Sequence, residues 1–180
     1  NPAAGHAMSA NHQPPGAQPV PGYYNLADRA QRLQARLADT QLKWTSAAAR
    51  ALQLEDGTGY GPRMLAPLLP ALRAAVAQGS AADKAQVESL ATWDGRHPLD
   101  SLPATLFNQF LYELARNAMA DEMGEALFPL LLRTRALDSA LPRLASEAAS
   151  PWWDRRGTPA VETRDQIVAE AWRATLAHLK

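Results

Sequence analysis

The sequence predicts a mostly α-helical protein, an irregular multi-helix domain behind an extended N-terminal arm. Three observations carry that expectation. Ala, Leu and Arg dominate while Ile and Lys are scarce, so strong helix formers outnumber strand formers. Apolar residues recur three and four apart in several segments beyond residue 26. The first 25 residues instead hold five of the fourteen prolines and three of the ten glycines, a composition of loop and extended chain. The expected division is an arm over 1–25 and a helical region over 26–180.

Within the arm, His6 to Ala10 reads as one short strand. Leu26, Ala30, Leu33 and Leu37 then form the apolar stripe of a first helix, with Arg29, Arg32 and Arg36 on adjoining positions. Thr45 or Ser46 caps a second helix through Leu54, which the Asp56-Gly57 turn ends. A third helix begins near Pro62, and Pro67 and Pro70 kink or split it. Gly79-Ser80 precedes a fourth, Ala82 to Thr92, closing on Trp93-Asp94-Gly95. The longest helix starts at Ser101-Leu102-Pro103 and carries Leu106, Phe107, Phe110, Leu111 and Leu114 on one stripe. Gly124 interrupts it, and Phe128 to Leu132 is apolar all round, which predicts burial on several sides. A shorter helix follows Asp138. A last one, capped by Thr163, aligns Ile167, Val168, Ala171, Trp172, Thr175, Leu176 and Leu179.

Composition narrows the function. Eighteen basic residues balance eighteen acidic ones without a block of either sign, which speaks against nucleic acid and polybasic membrane contact as partners. The absence of cysteine excludes disulfides and thiolate zinc sites. His6, His12, His97 and His178 show no metal-ligand spacing, so no metal and no cofactor is expected in this segment. Ser9, Ser46, Ser80 and Ser101 lie in neither a Gly-x-Ser-x-Gly nor a Ser-x-x-Lys context, and residue 1 is Asn rather than Ser, Thr or Cys.

The run Gly5-His6-Ala7-Met8-Ser9-Ala10-Asn11, followed by Leu26-Ala27-Asp28-Arg29-Ala30-Gln31-Arg32-Leu33, resembles a β-chain segment of the penicillin acylase (penicillin amidase) family of N-terminal-nucleophile hydrolases. Gln53 with Asp56, Trp93-Asp94-Gly95, and Trp152-Trp153-Asp154 with Glu162-Thr163 resemble further recurrent elements of that family, and they suit packing and capping rather than catalysis. The resemblance implies an αββα hydrolase, matured by self-cleavage, that cuts linear acyl-amide bonds through an N-terminal Ser outside this chain. The arm would then belong to the core of the parent enzyme. Asn11 would be the oxyanion-hole amide, since a fixed neutral N–H donor stabilises the charge that grows on the carbonyl oxygen. Arg29 would support the site by keeping the nucleophile's free amine neutral. Phe107, Phe110, Leu131 and Trp153 stand as candidates for the acyl-pocket wall.

The same resemblance implies a periplasmic or secreted enzyme whose partners are the rest of its precursor (the α chain and the N-terminal part of the β chain) and a small acyl-amide substrate. Family members often bind a structural calcium with an acidic residue between the Asn and the Arg, whereas Gln13 to Ala27 contains neither Asp nor Glu. Read without the resemblance, Asn11 before Gln-Pro-Pro is a turn residue, and Arg29 is a surface cation paired with Asp28 or Asp39. The competing class is a non-catalytic helical scaffold or protein-interaction module. An upstream reading frame of several hundred residues with an internal processing junction separates the two.

Overall fold

The computed structural model describes residues 2–16 and 18–179, and of Glu125 the backbone alone. The chain is mostly helical, as its composition predicts. Two compact units divide it: residues up to 60 together with 94–97, and residues 61–93 together with 98–180.

The first unit holds the arm and two helices, α1 (Asp28–Leu37) and α2 (Ser46–Gln53). No strand forms over His6 to Ala10, contrary to the strand read there from the sequence. A strand needs a ladder partner, and among the described residues the arm offers one isolated parallel bridge, His12 to Asn25. Asp28 opens α1 where an acid suits the helix dipole, and Arg36 sits in its last turn, where a cation does. Thr45 caps α2 by accepting the Ala48 amide. The 94–97 segment joins this unit through the Thr58 amide, which donates to the Gly95 carbonyl at 3.1 Å.

The second unit contains α3 (Tyr60–Leu65, entering from residue 61), α4 (Leu69–Ala75), α5 (Ala81–Ala91), α6 (Leu102–Leu131), α7 (Ala136–Ser146) and α8 (Arg164–His178). The prolines split α3 from α4 as their missing N–H groups require. Ser80 and Thr163 build capping boxes with Asp83 and Gln166 at the starts of α5 and α8, and Ser101 caps α6. Helix α6 packs against α8, α5 and α7, while α4 packs against α8 and α5. Between them lie Leu72, Val87, Leu90, Leu106, Leu114 and Ile167, all buried. Phe110 meets Trp172 edge-on with ring centroids 6.0 Å apart, a favoured aromatic geometry.

Gly124 breaks α6 at φ 73°, a conformation that suits a residue without Cβ. Beyond it the apolar stretch is not buried on several sides. Phe128 tucks in beside Tyr112 at a centroid distance of 6.4 Å, but Leu127, Leu130 and Leu132 face outward. The segment after the kink is short and lays one face on its neighbours, so apolar composition overstates its burial.

Candidate polar site around helix α1

Asn11 follows Ala10, which is buried, and is itself exposed. Its φ is 58°, the one positive φ of a non-glycine residue among those described. Asn tolerates this left-handed conformation better than most residues, yet it is uncommon outside glycine. The Asn11 carbonyl accepts the Asn25 amide at 2.7 Å, and Asn25 precedes α1 by three residues. The arm is thereby tied beside the entry to the helix that carries Arg29.

Arg29 lies in the first turn of α1 and is exposed. It lines a groove of about 440 Å³ with Arg32, Leu33, Leu52, Gln53, Glu55, Asp56, Gly57 and Thr58. Asn11 is not part of that lining. Among the described residues Arg29 has neither hydrogen bond nor ion pair, so neither Asp28 nor Asp39 neutralises it. Asp28 is buried beneath, 3.5 Å from where a Cβ on Gly59 would stand.

Arg32 is the reverse case. Its partner is Glu55, on the loop after α2. Arg32 donates to Glu55 Oε1 from Nε at 3.1 Å, and a terminal nitrogen lies 3.0 Å from the same oxygen as an ion pair. Its other terminal nitrogen donates to the Asp94 carbonyl at 3.4 Å. The Gly57 amide also reaches Glu55 Oε1, at 3.2 Å, and Arg36 approaches Oε2 at 3.9 Å. Arg96 donates to Asp56 at 3.1 Å, and that bond with the carboxylate's charge raises the guanidinium further above its ordinary value. Glu55 is the residue the sequence reading passes over. Its signal is its place inside Gln53-Leu54-Glu55-Asp56, but nothing local says which arginine it will meet.

Three of the four residues considered for an acyl pocket are core: Phe107, Phe110 and Trp153 are each at most 3% exposed. Leu131 lines an open groove, about 560 Å³, with Met119, Met123, Leu137, Leu144 and Trp152. Three serines cap helices. Ser80 accepts the Asp83 amide, Ser101 the Ala104 amide and Ser150 the Trp152 amide.

A penicillin amidase family profile matches residues 1–180. The chain belongs to the penicillin amidase family. Membership implies amidohydrolase activity for the full-length enzyme. No curated protein and no solved structure matches the chain. Among the described residues no three His, Asp or Glu side chains converge, and residues 13–27 carry no carboxylate. Among those same residues, no helix is long and apolar enough to cross a membrane.

Proposed function

We propose that this chain is the oxyanion segment and adjoining helical region of an exported, αββα N-terminal-nucleophile amidohydrolase that cleaves linear acyl-amide bonds. The observation that carries the reading is the coincidence at Asn11. The residue singled out by the family motif is also the one non-glycine residue held at positive φ among those described, and such outliers gather at functional sites.

The nucleophile is an N-terminal serine outside these 180 residues, since no serine here lies in a Gly-x-Ser-x-Gly or Ser-x-x-Lys context and residue 1 is Asn. Its hydroxyl attacks the carbonyl carbon while its own α-amine takes the proton. Negative charge collects on the former carbonyl oxygen, and the Asn11 side-chain N–H donates to it. Collapse passes the proton to the leaving amine and leaves an acyl-enzyme, which water converts to the carboxylic acid.

Arg29 supplies the electrostatics of the base. A cation near an amine disfavours the ammonium form, so the amine stays neutral and able to accept a proton. An arginine in the first turn of a helix is disfavoured by about 0.3–1 kcal/mol, and here no described partner offsets that cost.

The test is turnover of a panel of acyl-nitroanilides by the full-length enzyme and by the isolated 180 residues. Hydrolysis by the former alone is expected. Turnover by the isolated chain that a point substitution within it abolishes would place the nucleophile here and overturn the assignment, as would an inert full-length enzyme.

A further inference from the structure

Helix α1 presents three arginines on neighbouring positions, and the loop after α2 treats them differently. The Glu55 side chain is 10% exposed. A carboxylate so enclosed is costly unless paired and hydrogen-bonded. Glu55 Oε1 accepts one N–H bond from Arg32 and one from the Gly57 amide, a terminal nitrogen of Arg32 lies 3.0 Å from the same oxygen, and Oε2 lies 3.9 Å from Arg36. The Arg32 guanidinium also lies over Gly57 so closely that a Cβ at that position would overlap it. Arg32 is therefore neutralised and clamped on two sides, while Arg29, one turn earlier and lining the same groove, keeps its charge.

We infer that Glu55 is a positioning residue of the amidase site: by anchoring Arg32 in the notch over Gly57 it sets the place of α1 and leaves Arg29 as the cation that acts on the nucleophile's amine. The inference rests on the amidase reading above and extends it to a residue that touches neither substrate nor nucleophile. A charge-assisted pair of this geometry is stronger than a neutral hydrogen bond, and small displacements of a charged group are felt in catalysis.

The experiment uses the full-length enzyme with Glu55→Gln, Gly57→Ala and Arg29→Ala, each alone and the first two each combined with Arg29→Ala. Gly57→Ala keeps every charge and disturbs only the seat of Arg32. If Glu55 acts through Arg29, Glu55→Gln and Gly57→Ala lower kcat by about 10- to 100-fold in the parent background and by much less once Arg29 is gone. Gly57→Ala also moves the acidic limb of kcat/KM to higher pH, by about one unit, in the direction Arg29→Ala moves it. Equal losses in both backgrounds, or a limb that Gly57→Ala leaves in place, overturn the inference while wild-type turnover still upholds the amidase reading. An inert wild-type enzyme fails that reading instead.

Discussion

The indole of Trp93 occupies the space in which a Cβ on Gly61 would stand. Trp93 is buried and rests on Phe107 with ring centroids 5.0 Å apart, so it has no easy way to retreat. Gly61→Ala adds helix propensity to α3, worth about 1 kcal/mol. It also overpacks the site, at a cost of about 1–3 kcal/mol. The net expectation is a less stable protein, seen as a lower urea midpoint at an unchanged slope. A raised midpoint would mean that the indole repacks freely.

Trp153 is anchored by a second relationship. Its indole N–H donates to the Glu147 carbonyl at 2.9 Å, and the ring is almost fully buried. Trp153→Phe removes that bond and leaves a partial void, so destabilisation of about 1–3 kcal/mol is expected in thermal or urea melts. Trp152→Phe, at an exposed position on the rim of the larger groove, is expected to change stability by under about 0.5 kcal/mol.

The loop before α8 carries an acid-sensitive contact. Glu162 accepts the Arg155 amide at 3.0 Å and a bond from Thr158, and these, the backbone donor first, hold its carboxyl below the ordinary 4.5. Because the folded value is depressed, the contribution is present in full above the unfolded value. It is lost as pH falls through the folded one. Thermal midpoints of the wild type are therefore expected to decline below about pH 5 more steeply than those of Glu162→Gln. Parallel declines would show that this carboxylate is not a source of acid sensitivity.

The helices were legible because their signals are local. The sequence starts the longest helix at Ser101 and caps the last with Thr163, and these residues cap α6 and α8; Pro67 and Pro70 separate α3 from α4, and Gly124 breaks α6. What the sequence concealed depends on residues far apart. The partner of Arg32 lies 23 positions on, at Glu55, and its other acceptor, the Asp94 carbonyl, lies 62 on. The exposure of Leu130 and Leu132 was hidden for the same reason, since composition reports apolarity and not what comes to cover it. At Asn11 the residue type was readable and its motif was recognisable, whereas the positive φ became visible only with the backbone in place.

That φ makes Asn11 separable into a backbone role and a side-chain role. Asn11→Gly keeps the left-handed conformation without steric cost and removes the amide. Asn11→Ala removes the amide and adds about 1–2 kcal/mol of strain, because a Cβ is disfavoured there. Asn11→Asp keeps a residue that tolerates the conformation but replaces the donor with a carboxylate, which repels a developing oxyanion. If the side chain is the oxyanion donor, all three lower kcat in the full-length enzyme by about 10²–10³ or more at matched folded concentration. Stability would rank differently, with Gly and Asp near wild type and Ala below them. Kinetics that instead follow the stability order, with Asn11→Gly close to wild-type kcat, would make Asn11 a turn residue and remove the amide from the chemistry.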